Sequence, residues 1–123
     1  GYVAQDDPVD LRTRQLVLSP KTNKWAFTGK AGTAIGGPHV GWNYGWPMSR
    51  SVQILTTSNA TEQEDALKFL RSTTKGTGLI HESVNVRNTS DFTRAWFGWA
   101  NGQFGQALQH VEQTNPSLLA ATY

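Results

Sequence analysis

Closely spaced glycines dominate one stretch of this chain and limit where its helices can form. Six of them fall between residues 19 and 46 and break any helical or strand period there: Gly29, Gly32, Gly36, Gly37, Gly41 and Gly45. We therefore expect residues 19–46 to form a long structured loop with room for a short hairpin. Because such a long loop is unusual in a compact domain unless it has a function, it should line a site or cover another element.

Two helices are predicted on either side of this loop. Asp7-Pro8 is typical of an N-cap residue followed by proline in the first helical turn, so a helix is expected over residues 8–18. Pro47 begins a second helix, which ends at the polar residues 56–59. This second helix carries three apolar residues, Val52, Ile54 and Leu55. The glycine-rich loop therefore connects one helix to the next.

The third predicted helix has the strongest pattern. Thr61 and Glu64 have the spacing of a capping box, in which each side chain satisfies a backbone group at the start of the helix. Four apolar residues then share one helical face: Ala66, Leu67, Phe69 and Leu70. This face should pack on the core.

The last third of the chain holds the longest predicted helix. After a loop over residues 76–88, Asp91 is expected to cap it. Its apolar residues recur at helical spacing: Phe97, Ala100, Phe104, Ala107, Leu108 and Val111. Trp96 and Trp99 widen this stripe, so we expect a helix that is buried on most sides and that ends before Pro116. The sequence thus predicts a mainly α fold of about four helices with long glycine-rich loops.

Length, charge and cysteine content exclude several classes of protein. With 123 residues the chain fits one domain at most, and 37% hydrophobic with 16% charged residues is enough apolar material for a folded core. The eleven lysines and arginines are scattered, so we expect neither a nucleic-acid surface nor a membrane surface. No apolar stretch reaches the length of a membrane helix. Cysteine is absent, which excludes a disulfide framework and leaves the cellular compartment undetermined.

Three common catalytic motifs are missing. His81-Glu82 is not followed by the second histidine of a zinc-protease helix. The stretch around Lys30 lacks the upstream glycine and the hydroxyl residue of a phosphate loop. Neither Ser49 nor Ser83 lies in a glycine-flanked nucleophile elbow. We therefore expect no bound metal and no cofactor.

Glu82 is the carboxylate whose setting most suggests chemistry. It follows a Gly-x-Gly turn and an apolar pair, a setting that presents a carboxylate from a loop between two packed helices. A structural role is the alternative: Glu82 would cap a neighbouring backbone group, or pair with His81 or Arg94. The residues alone leave both interpretations open.

The second half of the glycine-rich loop contains His39 and an aromatic cluster of Trp42, Tyr44 and Trp46. Their flat faces are suited to stacking on a sugar ring while polar edges bond its hydroxyls. The alternative is a hydrophobic plug that closes the loop. The loop is thus a candidate binding surface.

Arg94 is predicted in the first turn of the last helix, where a positive charge opposes the helix dipole. Some interaction should offset this cost. An ion pair with Asp91 would do so, and so would a role in orienting Glu82 or a substrate hydroxyl.

Four ordered motifs extend over most of the chain. They are Gly36-Gly37-Pro38-His39, then Tyr44-Gly45-Trp46-Pro47-Met48-Ser49, then Gly76-Thr77-Gly78-Leu79-Ile80-His81-Glu82-Ser83, then Phe92-Thr93-Arg94-Ala95-Trp96-Phe97-Gly98-Trp99-Ala100-Asn101-Gly102-Gln103-Phe104-Gly105. In order and spacing they resemble glycoside hydrolase family 125, the metal-independent exo-acting alpha-1,6-mannosidases, which include fungal meiotically up-regulated proteins.

The resemblance implies a fold and an activity. Members of this family form an (α/α)6 barrel, so residues 1–123, with room for about four helices, would be the C-terminal part of such a catalytic domain. They hydrolyse terminal alpha-1,6-mannosides with inversion, using one carboxylic acid and one carboxylate. The implied partners are a mannose-containing oligosaccharide or glycan and the missing N-terminal part of the barrel.

The resemblance also implies roles for particular residues. Glu82 matches the general base, and a mannose subsite would lie near His39, Trp46, His81 and Arg94. The general acid would be an aspartate far upstream, so the isolated chain is expected to be inactive and its status as an enzyme on its own stays open. The alternative is a non-catalytic mannose-binding or structural remnant, in which the loop aromatics stack on the sugar.

Overall fold

The computed structural model describes residues 2–120, and this part is mainly helical, as predicted. It contains five helices: α1 (Pro8–Leu18), α2 (Pro47–Leu55), α3 (Ala60–Ser72), α4 (Gly98–Thr114) and α5 (Ser117–Ala120). Five short strands lie between them: β1 (Ala26–Gly29), β2 (Gly32–Ile35), β3 (Tyr44–Gly45), β4 (Ser83–Asn85) and β5 (Phe92–Thr93). The first two helices begin where the prolines predicted them, and α1 has its expected cap at Asp7.

The main core lies between α2, α3 and α4. Its buried residues come from these helices and from the segment before β4: Ile54, Ala66, Leu67, Leu70, Ile80, Ala100, Ala107 and Val111. A smaller core joins the strands to α3: Phe27, Ala34, Phe69 and Val86. Because Ile80 belongs to the main core, burial of its side chain fixes the chain two residues before Glu82.

The strands form two antiparallel sheets. β1 and β2 make the hairpin that was expected in the glycine-rich loop. In the second sheet β4 lies between β3 and β5, with Gly45 opposite Val84 and Ser83 opposite Thr93. Since side chains opposite each other project from the same face, Ser83 and Thr93 share one face of this sheet.

Gly36 allows the two sheets to approach each other. It forms a bridge to Gly45, beyond the end of β2. A Cβ atom on Gly36 would lie 2.1 Å from the carbonyl oxygen of Tyr44 and 2.8 Å from a ring carbon of Phe27. Both distances are too short for any side chain, so only glycine fits. This part of the glycine-rich loop is therefore tightly packed. His39 follows Gly36 by three residues, and Trp46 directly follows Gly45.

The third helix begins earlier than its predicted capping box. Asn59 is the N-cap residue, and its Oδ1 accepts a hydrogen bond from the N–H of Glu62 at 3.1 Å. The prediction that Thr61 and Glu64 form the capping box is wrong, because Asn59 already supplies the cap and Thr61 lies within the first turn.

The fourth helix begins at Gly98, later than predicted. Phe92–Thr93 form β5 and pair with β4, and the backbone of Arg94 then turns through a left-handed conformation with φ of 44°. The prediction that Asp91 caps this helix, with Arg94 in its first turn, is therefore wrong. The backbone N–H and C=O groups of β5 form hydrogen bonds with β4, so they are not available to a helix. The predicted end of the helix is confirmed, with Asn115 at the C-cap.

Helix α4 is buried along one face only. Its buried residues are Ala100, Ala107 and Val111. Trp99 is 75% exposed and Trp96, just before the helix, is 66% exposed. The prediction of a helix buried on most sides is wrong for residues 2–120, since the buried face packs on α2 and no described element covers the tryptophans. None of the helices described is both long and apolar enough to span a membrane.

Candidate active site

Glu82 lies where the second sheet meets the helical core. It immediately precedes β4, and its N–H donates to the carbonyl oxygen of Arg94 at 3.4 Å, which continues the pairing beyond β5. The side chain of Glu82 is only 9% exposed. The predicted loop between two helices therefore contains a strand, and the start of that strand presents the carboxylate.

Two side chains contact the Glu82 carboxylate, and both contact the same oxygen. Thr93 donates from Oγ1 to Oε2 at 3.0 Å. Nε of Arg94 lies 3.4 Å from Oε2, so the ion pair considered as a structural role is present. Among residues 2–120, no hydrogen-bond donor contacts Oε1. The carboxylate thus has one anchored oxygen and one free oxygen.

Arg94 combines an unusual backbone with an exposed side chain. A left-handed conformation costs a residue with a Cβ atom roughly 1–2 kcal/mol, so other interactions must hold it. Its carbonyl accepts from Glu82, and its guanidinium lies 5.7 Å from the ring centroid of Phe97. The side chain is 66% exposed. An exposed cation beside a buried carboxylate can donate to a ligand as well as to Glu82.

His81 is completely buried. Its Nδ1 contacts the carbonyl oxygen of Ala95, and its ring stacks on that of Phe92 with 3.8 Å between centroids. Because a carbonyl oxygen only accepts, Nδ1 donates in this contact and Nε2 is the second polar atom of the ring. In residues 2–120 this buried Nε2 has no hydrogen-bond partner. Such an atom is rare in a folded protein and marks a place where a ligand or water would be stabilised.

Asn101 connects α4 to the chain just before the site. Its Oδ1 accepts from the N–H of Ile80 at 3.0 Å, and its Nδ2 donates to the Ile80 carbonyl at 2.8 Å. The same Nδ2 donates to the carbonyl of Phe97, at the start of the helix. One amide side chain thus satisfies both backbone groups of a buried residue and ties two segments together.

Replacing Asn101 with alanine is expected to lower the free energy of unfolding by about 1–3 kcal/mol, because the buried N–H of Ile80 would lose its acceptor. Urea denaturation of the 123-residue chain measures the change. Gln109→Ala, at an exposed position of the same helix, is the control and should stay within about 0.5 kcal/mol of the original chain. Equal stability of the two variants would contradict the structural role of Asn101.

A second polar network lies on the same sheet. The Tyr44 hydroxyl donates to Oδ1 of Asp91 at 2.6 Å, and Nδ2 of Asn85 donates to Oδ2 at 3.0 Å. The hydrogen bond from Tyr44, followed by that from Asn85, lowers the pKa of Asp91. The bond to Asp91 in turn raises the pKa of Tyr44. Asp91 therefore holds β3, β4 and the start of β5 together, in place of its predicted role as a helix cap.

The lowered pKa of Asp91 predicts a pH-dependent stability. A depressed folded-state value adds stability above the unfolded pKa, near pH 4, and this stability is lost as the pH falls through the folded value. Asp91→Asn should therefore be less stable than the original chain at pH 7, and the difference should shrink below about pH 4. Urea denaturation at pH 7, 4 and 2.5 measures it. A difference that stays constant over this range would contradict the assignment.

Trp42, Tyr44 and Trp46, which were predicted as an aromatic cluster of the glycine-rich loop, do not contact one another as one cluster. Trp42 stacks on Trp25 with 4.9 Å between centroids, which supports the hydrophobic-plug alternative for this residue. Tyr44 is held by the network just described. Trp46 is half-buried, and its ring lies 6.2 Å from that of the exposed His39. His39 and Trp46 are therefore the pair in the loop best placed to meet a ligand.

Four of the five predicted site residues form two pairs, and the fifth, His81, belongs to neither pair. Glu82 and Arg94 are in direct contact. His39 and Trp46 form the second pair. Trp46 directly follows β3, and Glu82 directly precedes β4. Because β3 and β4 pair in antiparallel fashion, the end of β3 lies beside the start of β4. His81 is buried, and it contacts Phe92 in β5 and Ala95 just after that strand.

The sequence interpretation missed three residues that hold the site, Ser83, Thr93 and Asn101. All three lie within the motifs quoted above, but their roles left no local signal. Strands of two or three residues are too short to show an alternating period. The amide of Asn101 bonds to a backbone 21 residues away, a distance that no spacing rule connects.

The fold and the site define a mainly helical module in which a nearly buried carboxylate lies beside an exposed arginine. In residues 2–120 no group of three or more His, Cys, Asp or Glu side chains is arranged to hold a metal ion. The chain belongs to glycoside hydrolase family 125, because the family model described as metal-independent alpha-mannosidase (GH125) matches residues 1–109. The resemblance stated from four motifs is thereby confirmed.

Two similar proteins show how much of the family fold is present. The chain is 43% identical over 119 residues to the meiotically up-regulated gene 157 protein of Schizosaccharomyces pombe, covering 97% of this chain and 23% of that protein. It also superimposes, with a TM-score of 0.84 and 34% identity, on a metal-independent alpha-mannosidase from Streptococcus pneumoniae in a non-productive complex with alpha-1,6-mannobiose. That match covers 91% of this chain and 26% of the other. The chain therefore spans about a quarter of either relative and is part of an (α/α)6 barrel.

Proposed function

We propose that these residues are the C-terminal part of the catalytic domain of an inverting exo-alpha-1,6-mannosidase and that Glu82 is its general base. The observation that carries the proposal is the asymmetry of the Glu82 carboxylate, in which Oε2 is held by Thr93 and Arg94 while Oε1 has no hydrogen-bond partner among residues 2–120. Fixing one oxygen aims the other, which is what a base needs to meet a reacting water. Membership of the mannosidase family supports a mannoside as the substrate.

In the proposed reaction, water attacks the anomeric carbon from the side opposite the leaving group. Oε1 of Glu82 takes a proton from this water as the new carbon–oxygen bond forms, and the leaving oxygen takes a proton from a carboxylic acid. The two carboxyl groups of inverting enzymes lie about 6.5–9.5 Å apart, which leaves room for the water. The acid would be an aspartate in the part of the barrel outside these residues. The 123 residues alone are therefore proposed to be inactive.

Four residues are proposed to contact the mannose. Arg94 donates to sugar hydroxyls from its exposed guanidinium. Trp46 offers an aromatic face, with His39 beside it. His81 is fully covered, so its proposed contact is limited to a hydrogen bond through Nε2.

Hydrolysis of three mannobioses tests this function in the full-length protein, meaning the longer chain to which we propose these residues belong. Mannose should be released from alpha-1,6-mannobiose much faster than from the alpha-1,2 and alpha-1,3 isomers. The 123-residue chain should release none. Saturable binding of alpha-1,6-mannobiose by the full-length protein without any hydrolysis would instead support the alternative, a mannose-binding remnant.

A further inference from the structure

Two hydroxyl groups form a chain of hydrogen bonds that ends at the Glu82 carboxylate. Oγ of Ser83 is 2.6 Å from Oγ1 of Thr93, and Oγ1 of Thr93 is 3.0 Å from Oε2 of Glu82. Ser83 and Thr93 are directly opposite in the pairing of β4 with β5. Each strand thus contributes a hydroxyl residue next to a charged one, Ser83 after Glu82 and Thr93 before Arg94.

The direction of these hydrogen bonds follows from chemistry. A carboxylate accepts hydrogen bonds and donates none, so the hydroxyl hydrogen of Thr93 points to Oε2. Thr93 then has only lone pairs to offer Ser83, so Ser83 is the donor to Thr93. Ser83 therefore donates to Thr93, and Thr93 donates to Glu82. Ser83 is completely buried, so its hydroxyl is shielded from competing water.

We propose that Thr93 is a positioning residue for the general base, with Ser83 fixing its orientation. Thr93 acts through Glu82, because its bond to Oε2 sets the rotation of the carboxylate and so the direction of the free Oε1. This inference rests on the proposed function of Glu82.

Arg94 is less suited to this task, although it contacts the same oxygen. Its Nε lies 3.4 Å from Oε2, compared with 3.0 Å for Thr93. Its side chain is 66% exposed on a long flexible stem, whereas Thr93 is half-buried within a paired strand. Arg94 thus contributes a positive charge beside the carboxylate, and the Thr93 hydroxyl fixes the orientation of the carboxylate.

Steady-state kinetics of the full-length protein with alpha-1,6-mannobiose tests the proposal. Thr93→Val removes the hydroxyl at nearly constant shape and should lower kcat about 10-fold to 100-fold, as expected for one hydrogen bond to a charged group, with KM within about two-fold. Thr93→Ser keeps the hydroxyl and should stay within about three-fold of the original kcat. Ser83→Ala should have a smaller effect than Thr93→Val, because Thr93 still donates to Glu82. Thermal unfolding of each variant shows whether it is folded.

The outcomes separate this proposal from the function on which it rests. If the protein is active and Glu82→Gln abolishes activity, equal kcat values for Thr93→Val and Thr93→Ser would overturn the positioning role alone. A full-length protein that hydrolyses no mannoside would overturn both. If Thr93→Val does not fold, the decision passes to Thr93→Ser, and a kcat more than about three-fold below the original in a folded Thr93→Ser protein would overturn the proposal.

Discussion

Replacing Glu82 with glutamine in the full-length protein is expected to lower kcat on alpha-1,6-mannobiose by about 100-fold to 10,000-fold, the usual contribution of a general base. The amide has the shape of the carboxylate but is too weak a base to take a proton from water. Its oxygen can still accept from Thr93 and Arg94, so the fold should be retained. KM should change little, because the base contacts water and not the sugar.

The matched control for this change is Glu64→Gln. Glu64 lies on α3, where it forms an exposed ion pair with Lys68 at 2.8 Å. Removing this charge should leave kcat within about two-fold, since surface pairs of this kind contribute little. If Glu82→Gln hydrolysed the substrate as fast as Glu64→Gln, Glu82 would not be the base.

Gly36→Ala is expected to destabilise the 123-residue chain by about 3 kcal/mol or more, at the upper end of the cost of overpacking. The added Cβ would meet the Tyr44 carbonyl at 2.1 Å and a Phe27 ring carbon at 2.8 Å. The Tyr44 atom belongs to the backbone, so it cannot move aside without breaking the bridge to Gly45. The melting temperature should fall by roughly 10–20 °C.

The control for this change is Gly102→Ala. Gly102 lies within α4 and is exposed, and a Cβ atom added there would point into open space among the described residues. Alanine there should raise stability by about 0.5–1 kcal/mol, because glycine is a poor helix former. Differential scanning calorimetry of both variants compares the two. A stable Gly36→Ala variant would show that the two sheets do not pack as closely as described.

The helices could be predicted because their signals are local. Asp7 followed by proline was sufficient for the start of α1, and Pro47 was sufficient for the start of α2. Errors occurred where long-range pairing prevailed over a local pattern. Asp91 is an acceptable N-cap residue, but its carboxylate is used by Tyr44 and Asn85, and the backbone after it pairs with β4. A rule that considers only neighbouring residues cannot foresee that competition.

The exposure of Trp96 and Trp99 has a different cause. Their spacing predicts a wide apolar stripe, and a stripe of that width needs a partner on a second side. The chain spans about a quarter of its relatives, so the packing of a whole barrel is not contained in these residues. The sequence thus showed an apolar surface correctly, and no element among residues 2–120 covers it.

The candidate site was predictable in its charged residues and not in its supporting ones. Glu82 and Arg94 stood out from their motifs and are in contact. The hydroxyls of Ser83 and Thr93 could be recognised only once the two short strands were aligned. Serine and threonine are common in every kind of segment, so their presence alone indicates nothing.

The anomeric form of the first mannose released tests the central claim most directly. Full-length protein is mixed with the methyl glycoside of alpha-1,6-mannobiose, whose leaving group is a methyl mannoside that cannot mutarotate, and the anomeric protons are followed by NMR before the free sugar equilibrates. If Glu82 activates water on the side opposite the leaving group, beta-mannose appears first and alpha-mannose follows only by mutarotation. Initial release of alpha-mannose would contradict the account, because retention requires two displacements through a glycosyl-enzyme intermediate, whereas attack by water opposite the leaving group inverts the anomeric carbon in one step.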